Sequence, residues 1–377
     1  MYLDKKYEDF RKKIREFSEK EIEPAAHKID ESAEFPYDNI KKIAELGLLG
    51  MVVPPEYGGS GIDTLKYVLV VEELSRVCGS TGITVAAHNS LAICPIFLFG
   101  NEEQKKKYIP PLAKGEKLGA FGLTEPEAGS DAGGTKTTAV LDGENYVVNG
   151  SKCFITSASV AETFVITAVT DKTKGTKGIS SLILEKGMKG FSVGKKENKM
   201  GLRGSDTATL HFEELKVPKE NLLGKEGEGF KQFLITLDGG RVSIGAMALG
   251  IAQGAFDQAM KFSRTRIQFE KPLIEFQAIQ FKLADMATQI EAARHLIYHA
   301  AFLEDKGEKY VKESAMAKLF ASEVARYVCY QAIQIFGGYG YSREYPVERY
   351  LRDVKLCEIG EGTSEIQRLV IFRELMR

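Results

Sequence analysis

Residues 279–297 read IQFKLADMATQIEAARHLI, and their apolar side chains recur with the spacing of one helix face. The apolar positions, separated by four and three residues in alternation, are Ile279, Leu283, Met286, Ile290, Ala293 and Ile297. Such a seam is typical of a helix that packs against neighbouring helices in a bundle. The last third of the chain is therefore predicted to be a helical bundle.

Before this bundle, the apolar spacing is that of β-strands. Asp142 and Gly143 separate two short apolar runs, which predicts a β-hairpin. Ala208, Leu210 and Phe212 alternate with polar neighbours, the period of a half-buried strand. Because turn residues recur at short intervals, the region is predicted to be a small β-barrel or sandwich.

The first part of the chain again carries helical patterns. Residues 2–29 are highly charged with apolar residues at helical spacing, and residues 37–49 and 64–77 repeat the pattern. The chain is therefore predicted to be an α+β multidomain protein. Its predicted domains, which are helical, β and helical in that order, span residues 1–119, 120–225 and 226–377.

Composition argues against several classes of function. Lys plus Arg number 51 and Asp plus Glu 52, a formal charge of -1, which argues against a broad nucleic-acid surface. The five cysteines form no C-x-x-C pair, which favours buried thiols in a reducing compartment. The N-terminus lacks the apolar core of a signal peptide, and no unbroken apolar run reaches ~18 residues, so no membrane span is expected.

Metal and nucleotide motifs are weak in this chain. His295 and His299 are four residues apart, as zinc ligands on one helix face can be. They lack the Glu of an HExxH motif and an evident third ligand, so no metal is predicted. Since GxGxxG and Walker A patterns are missing from the sequence, a dinucleotide would bind outside the Rossmann scheme.

Two segments of the middle region suit a flat cofactor with a polar edge. Residues 121–131 read FGLTEPEAGSD and carry the hydroxyls of Thr124 and Ser130. Residues 149–156 read NGSKCFIT and place Phe154 close to another hydroxyl. An aromatic face beside hydrogen-bond donors suits an isoalloxazine ring, and plain core packing of Phe154 is the alternative.

A carboxylate stands in a Gly-flanked loop late in the chain, where residues 358–368 read EIGEGTSEIQR. Glu361 lies between Gly360 and Gly362 just before a predicted helix, so a substrate can reach it. The alternative is an ordinary acidic residue at a helix N-terminus, favoured by the helix dipole. Taken alone, this segment favours that alternative.

These segments occur together and in order in the acyl-CoA dehydrogenase family, which the chain resembles over nearly its whole length. The resemblance extends to PEYGGSG at 55–61, KMGLRGSDT at 199–207, RIQFEKPLIEFQAIQ at 266–280 and QIFGGYGYSREYPVERYLRD at 334–353. It implies an N-terminal helical domain, a β domain and a C-terminal four-helix bundle, consistent with the domains above.

The resemblance implies FAD as the cofactor. Thr124 would bond the pyrimidine side of the flavin, and Phe154 would lie against its ring. Arg266, Phe269 and Gln277 match positions that hold the cofactor of a neighbouring subunit, which implies at least a dimer and usually a homotetramer, a dimer of dimers. The positions that match FAD contacts of the family are Phe121, Leu123, Thr124, Ser130, Phe154, Ile155, Thr156, Arg266, Phe269, Gln277, Gln334, Gly337, Gly338, Thr363 and Glu365.

The resemblance also implies the reaction, α,β-desaturation of an acyl-CoA to the trans-2-enoyl-CoA. Glu361 would remove the α-proton, and the β-carbon would pass hydride to flavin N5. The Glu361 backbone N–H and a ribityl hydroxyl would bind the thioester oxygen as an oxyanion hole. Dehydration by the acyl chain is expected to raise the pKa of Glu361. Electron-transferring flavoprotein would be the electron acceptor.

Two positions that vary in the family bear on base and substrate. Some members carry the base on a bundle helix, where this chain has Gly240, and this supports Glu361. Straight-chain members commonly carry Tyr where this chain has Gly360, so a short branched or cyclic acyl group is predicted. Arg241 is either a substrate contact or a structural ion partner. The positions matched to the substrate are Ser130, Asp238, Arg241, Gly360 and Gly362.

Other interpretations stay open. A straight-chain, butyryl-CoA-like dehydrogenase would use the same residues. An acyl-CoA oxidase is generally longer than a chain that ends at Arg377, and a flavin monooxygenase would not need Glu361. From a different class, a non-catalytic flavoprotein would bind acyl-CoA without turnover. The chain begins with the family's first helix, which favours a cytoplasmic bacterial-type protein, or the mitochondrial matrix in a eukaryote.

Overall fold

The computed structural model describes residues 3–377, so the first two residues of the predicted N-terminal domain and Tyr2 of the charged stretch 2–29 lie outside the described residues. The rest of that stretch forms two helices joined by a π-helical turn at Ser18–Ile22. The helices of the N-terminal part are α1 (Lys5–Phe17), α2 (Glu23–Ser32), α3 (Tyr37–Glu45), α4 (Thr64–Val77), α5 (Gly79–Ala87), α6 (Cys94–Phe99) and α7 (Glu102–Ala113).

The middle part is a β-sheet, as predicted. Its strands are β1 (Gly119–Gly122), β2 (Thr138–Asp142), β3 (Asn145–Thr156), β4 (Thr163–Val169), β5 (Ile179–Glu185), β6 (Phe191–Lys196), β7 (Thr207–Pro218) and β8 (Leu222–Leu223). They lie in the order β6–β7–β3–β2–β4–β5–β8, and β1 pairs with β4. β4 runs parallel to β1 and β2, and the other pairs are antiparallel.

The predicted hairpin forms between β2 and β3, but its turn lies one residue later than expected. Asp142 pairs with Asn145 and so belongs to the strand, which leaves Gly143 and Glu144 as the turn. Gly143 has a φ of +59°, which is the left-handed conformation that tight hairpin turns require.

The C-terminal part is helical, and its predicted seam is buried. Five of the six seam positions, from Leu283 to Ile297, are buried, and Ile279 packs against the core. Two short strands, β9 (Ile267–Gln268) and β10 (Lys271–Pro272), form a small hairpin between the first two helices. The helices are α8 (Gly229–Thr265), α9 (Gln277–Asp305), α10 (Val311–Phe336), α11 (Val347–Val354) and α12 (Ser364–Leu375). The predicted fold class is thus confirmed, while the domain limits stay a prediction.

Helix α8 approaches α4 very closely at two glycines. A Cβ on Gly250 would lie 2.1 Å from the carbonyl oxygen of Glu72, and one on Gly254 would lie 2.1 Å from that of Arg76. A side chain at either position would force the helices apart. The N-terminal helices are therefore fitted directly onto the C-terminal ones.

Two buried carboxylates of α4 have partners at the same junction. Glu72 and Glu73 of α4 have completely buried side chains. Arg11 donates to Glu72 over 2.6 Å and Arg15 donates to Glu73 over 3.0 Å, while the Tyr298 hydroxyl of α9 donates to Glu72 over 2.6 Å. Because an unpaired buried carboxylate is costly, these partners hold α1, α4 and α9 together.

By length and mean hydropathy alone, two segments could cross a membrane, although no span was expected from the sequence. They are Gly79–Phe99 and Gly229–Thr265, and 72% of each segment's most apolar window is buried inside the protein. The expectation from the sequence was based on an unbroken apolar run, which small and polar residues interrupt in both segments, and the absence of a membrane span stays a prediction. Burial against other elements is what core helices show.

Candidate active site

Glu361 lies on the loop between α11 and α12 in a strained backbone conformation. Its φ is +52°, in the left-handed region that residues other than glycine seldom adopt, and Gly362 follows with φ +90°. Thr363 then caps α12 by accepting a hydrogen bond from the backbone N of Ile366 over 3.3 Å. Glu365 is exposed on the first turn of that helix. Such strain persists where the surroundings fix it, often at functional sites.

The carboxyl group of Glu361 lies against helix α8. A Cβ on Gly240 would fall 2.0 Å from Glu361 Oε2, so the absence of a side chain at position 240 makes room for the carboxyl group. Within residues 3–377, Oε2 is buried and has no hydrogen-bond partner. Burial raises the pKa of Glu361 to about 7, although Lys318 and Arg241 oppose the shift. The group is therefore poised to take up a proton near neutral pH.

Two side chains hold the Glu361 loop by donating hydrogen bonds to its carbonyl groups. Lys318 of α10 is completely buried and donates from Nζ to the carbonyl of Gly362 over 2.6 Å. Gln367 of α12 donates to the carbonyls of Glu361 and Gly362 over 3.1 and 2.8 Å. Burial lowers the pKa of Lys318 to about 8, so it stays mainly charged at neutral pH and favours the carboxylate.

Neither Lys318 nor Gln367 was recognised from the sequence. Lys is almost never fully buried, so a single Lys in a helical pattern predicts a surface residue. Its neighbours in the sequence are the only available signal. Ala315, Ala317 and Ala321 are buried around Lys318, which marks a small-residue face.

Asp238 and Arg241 form an ion pair on α8. Arg241 Nη1 donates to Asp238 Oδ1 over 2.5 Å. Arg241 is buried, and its Nε has no partner among the described residues. Arg241 thus has the structural ion partner considered from the sequence, and it retains one donor.

Phe154 is exposed although it belongs to strand β3. The pairing of β3 with β7 shifts its register between Lys152 and the buried Ile155, and Phe154 lies in this irregularity with φ +58°. Its side chain is 66% exposed, so it does not pack in the core. Bulges of this kind re-aim side chains and are common beside active sites. The ring presents a flat apolar surface that an aromatic ligand can cover.

A buried ion pair ties the segment after β1 to β3. Lys152 Nζ lies 2.7 Å from Glu125 Oε1, and both side chains are almost completely buried. The same ammonium donates to the carbonyl of Leu123 over 3.1 Å, while the Thr135 hydroxyl donates to Glu125 over 2.5 Å. Burial opposes ionisation of Glu125, but Lys152 and the hydrogen bonds outweigh it and lower its pKa to about 2.

Thr124, another residue predicted to contact the cofactor, lies near this ion pair. The carbonyl of Thr124 accepts a hydrogen bond from the backbone N of Cys153 over 2.8 Å, which places Thr124 beside the bulge. Phe121 in β1 and Thr156 at the end of β3 are half-buried, and Ser130 is exposed. The fold therefore brings Thr124 beside the bulged part of β3.

A π-helical turn at His88–Ile93 connects the sheet to the Glu361 side. The His88 ring accepts a hydrogen bond at Nδ1 from the backbone N of Gly119, at the start of β1, over 3.2 Å. Leu91 Cδ2 would lie 3.4 Å from a Cβ on Gly240. The turn therefore joins the sheet to the part of α8 that meets the carboxyl group.

The predicted cofactor residues Arg266, Phe269, Gln277, Gln334, Gly337 and Gly338, here called the Arg266 group, lie around the far end of α8. Arg266 directly follows the helix and Gly240 lies near its start, so about 39 Å of helix axis separates them. Residues near Arg266 and the carboxyl group of Glu361 therefore cannot belong to one small site within a chain.

Part of the Arg266 group lines a separate groove. Arg266, Gly337 and Gly338 line a groove of about 560 Å³, and the Arg266 guanidinium lies 5.2 Å from the centre of the Tyr339 ring. The other members of the group, which are all exposed, are Phe269, Gln277 and Gln334.

Metal ligands are not grouped in the described part of the chain. No cluster of three or more His, Cys, Asp or Glu side chains that could hold a metal ion occurs there. All five cysteines are free thiols, and four of them are buried.

Three family models together match nearly the whole chain. Acyl-CoA dehydrogenase, N-terminal domain, matches residues 4–116. The middle domain of the same family matches residues 120–215, and the C-terminal domain matches residues 227–376.

Known proteins of similar length align over the whole chain. "Acyl-CoA dehydrogenase, short-chain specific" of Clostridium acetobutylicum is 54% identical over 375 residues, which cover 100% of this chain and 99% of that protein. The solved structure of butyryl-CoA dehydrogenase from Megasphaera elsdenii has a TM-score of 0.97 at 47% identity and covers 100% of this chain and 99% of its own. A chain in the structure described as "Electron transferring flavoprotein of Acidaminococcus fermentans: Towards a mechanism of flavin-based electron bifurcation" has a TM-score of 0.98 at 53% identity, covering 100% and 99%.

The buried Glu125–Lys152 pair gives a testable prediction. Replacing Glu125 by Gln leaves the Lys152 ammonium buried without its counter-charge, and breaking such a pair costs about 3–5 kcal/mol. We expect urea unfolding, followed by circular dichroism because the chain has no Trp, to show a loss of that order at pH 7. The matched control is Glu127→Gln, an exposed carboxylate on the same segment whose pair with Lys136 should contribute less than about 1 kcal/mol.

The pH dependence distinguishes this pair from a packing effect. The pKa of Glu125 is about 2 in the folded chain and 4.5 without the contacts of the fold. The ionised carboxylate therefore stabilises the folded state fully above about pH 4.5, and this stabilisation is lost as pH falls towards 2. The difference between wild type and Glu125→Gln should shrink over that window. A difference that stays constant down to the acid end would contradict the ion-pair explanation.

Proposed function

The chain belongs to the acyl-CoA dehydrogenase family, whose members are FAD-dependent oxidoreductases, and we propose that it desaturates short acyl-CoA thioesters with Glu361 as the base. The carrying observation is the carboxyl group of Glu361, which is buried, unpartnered at Oε2 and has a pKa of about 7. A base for a weakly acidic α-proton needs this combination, because its pKa must lie near the working pH.

The neighbours of Glu361 have positioning roles in this proposal. Lys318 and Gln367 fix the loop through its carbonyls, so the carboxylate points at one place. The positive charges of Lys318 and Arg241 favour the ionised form that accepts the proton. The backbone N–H of Glu361 is proposed to bind the thioester oxygen, where charge develops as the proton leaves.

The residues of the sheet fit FAD. Phe154 offers an exposed ring on a bulge, and the Glu125–Lys152 pair holds the segment that carries Thr124 in place beside it. FAD, when bound, supplies the hydride acceptor for the β-carbon. Roles for Phe121, for Ser130 at the junction with substrate, and for the other matched positions belong to the same proposal.

The short-chain character is supported by the names of similar proteins, and the shape near Glu361 supports tolerance of branches. The atoms nearest to a Cβ on Gly360 belong to Leu356, at 3.5 Å or more, so a side chain could begin there without a clash, and no Tyr ring occupies the position before the base. We therefore propose that branched or cyclic short acyl groups are accepted beside straight ones. A straight-chain, butyryl-type preference remains the alternative.

The groove at Arg266 supports assembly into at least a dimer. It is too far from Glu361 along α8 to serve the same cofactor molecule, yet its residues match positions that hold FAD. We propose that it receives the FAD of a neighbouring subunit in a dimer of dimers. Electron-transferring flavoprotein as the acceptor, and a cytoplasmic or mitochondrial matrix location, are parts of the same proposal.

The base assignment is tested by anaerobic titration with butyryl-CoA. Wild type should lose its visible flavin band, and Glu361→Gln should keep FAD but show no bleaching, because the amide cannot take the α-proton. For wild type, kcat/KM should fall about tenfold per pH unit below about pH 7, since only the ionised carboxylate acts. Bleaching by Glu361→Gln at the wild-type rate would remove Glu361 from the reaction.

Gly240 provides a second test of the geometry. Gly240→Ala places a Cβ 2.0 Å from Oε2, so the flexible carboxyl end must move by about 1 Å, a displacement worth about 100-fold in rate. We expect kcat/KM to drop by that factor with FAD retained and with little change in unfolding. Gly245→Ala on the same helix is the control, because its Cβ would lie 3.3 Å from Ile297 and should leave the rate nearly unchanged.

Gly360→Tyr tests the proposed tolerance of branched acyl groups. The ring should lower kcat/KM for isobutyryl-CoA by about 10-fold or more while butyryl-CoA is affected less, because one methylene of pocket space is worth ~1–3 kcal/mol. Equal losses for both substrates would contradict the proposed tolerance of branches.

A further inference from the structure

A second buried carboxyl group lies near the base and has no role in the chemistry above. Glu304 is at the end of α9, and its Oε2 is buried without a hydrogen-bond partner among residues 3–377. Burial raises the pKa of Glu304 to about 7. A hydrogen bond with Tyr310 opposes this shift, and the charges of Asp305 and Asp238 add to it. A carboxyl oxygen left in this state is costly unless something donates to it.

Consecutive glycines place Glu304 beside the Glu361 site. A Cβ on Gly240 would lie 2.0 Å from Glu361 Oε2, whereas a Cβ on Gly239 would lie 3.5 Å from Glu304 Oε1 and 3.8 Å from the Tyr310 hydroxyl. The two carboxyl groups are thus separated only by neighbouring positions of one helix, and neither position carries a side chain.

The segment from Leu91 to Cys94 has residues near both carboxyl groups. Leu91 lies opposite Gly240, at 3.4 Å from its added Cβ. Cys94 follows three residues later, at the start of α6, and its half-buried thiol is close enough to Glu304 for the charge of that carboxyl group to act on it. Tyr67 lies within such range of both Glu361 and Cys94. Leu91 thus lies near the Glu361 side of α8, and Cys94 on the same segment lies near Glu304.

We propose that the acyl pocket of this chain ends on Glu304, and that it selects a short acyl-CoA whose chain carries a hydrogen-bond donor, a hydroxyl or an ammonium group, at its distal end. The inference rests on the proposed function for the direction in which the acyl chain leaves Glu361. A terminal methyl group would leave the buried oxygen unpaired, whereas a donor satisfies it. Sites built to hydrogen-bond a substrate group discriminate strongly against analogues that lack the group.

Binding is measured without turnover in the FAD-loaded Glu361→Gln variant. Calorimetry compares 4-hydroxybutyryl-CoA with pentanoyl-CoA, in which a methyl group replaces the hydroxyl. We expect at least about 10-fold tighter binding of the hydroxy thioester, and we expect adding Glu304→Leu to reduce this preference by about 10- to 100-fold. The matched control is Glu308→Leu, an exposed carboxylate a few residues further along the chain, which should leave the preference unchanged.

A third thioester and a conservative variant separate the two donors. Adding Glu304→Gln, which keeps an acceptor oxygen but removes the charge, should keep a preference for 4-hydroxybutyryl-CoA and abolish one for 4-aminobutyryl-CoA. Because each comparison is a ratio within one FAD-loaded variant, partial loss of folded protein does not imitate the result.

The two proposals fail in different ways. Bleaching of wild type by butyryl-CoA, together with equal or tighter binding of pentanoyl-CoA that Glu304→Leu does not alter, overturns the assignment of Glu304 and leaves Glu361 as the base. A hydroxyl preference that depends on Glu304, without bleaching by any of these thioesters, supports the polar pocket end and overturns desaturation.

Discussion

Helix α8 takes its central place because glycine replaces a side chain at three positions where another group comes very close to it. At Gly250 and Gly254 the approaching groups are carbonyl oxygens of α4, and at Gly240 the group is the carboxyl of Glu361. In each case a Cβ would meet an oxygen at 2.1 Å or less. The junction between the N-terminal and C-terminal helices and the room for the candidate base therefore depend on the same kind of close approach.

Two buried lysines act differently on two buried carboxyl groups. Lys152 contacts Glu125 directly at 2.7 Å and, with further donors, lowers its pKa to about 2, so Glu125 stays ionised and structural. Lys318 donates its hydrogen bond to the carbonyl of Gly362, and it acts on Glu361 only through its charge. Burial then prevails, and the pKa of Glu361 rises to about 7. Direct pairing would have removed the proton affinity that a base needs.

The surfaces proposed to hold the cofactor are left open in a single chain. Phe154 is turned out of the sheet by a bulge, and the groove at Arg266 lies at the opposite end of α8. Phe269 and Tyr341, close in sequence to residues of that groove, are 89% and 92% exposed. Both surfaces are concave or flat and partly apolar, which suits ligands and neighbouring subunits better than solvent.

The sequence by itself determined the order of helical, β and helical parts, the buried seam of α9 and the hairpin of β2 and β3, apart from a turn that lies one residue later. It also showed Glu361 between two glycines, but this segment alone favoured an ordinary carboxylate at a helix N-terminus, and only the family resemblance pointed to a base. These features depend on the spacing of residues close together in the chain. Only the tertiary structure brought Gly240 against Glu361, Lys152 against Glu125, and Lys318 beneath the loop, and only it made membrane-like segments into core. Such contacts join residues far apart in sequence, and whether a charge or a glycine is buried depends on what the folded chain packs against it.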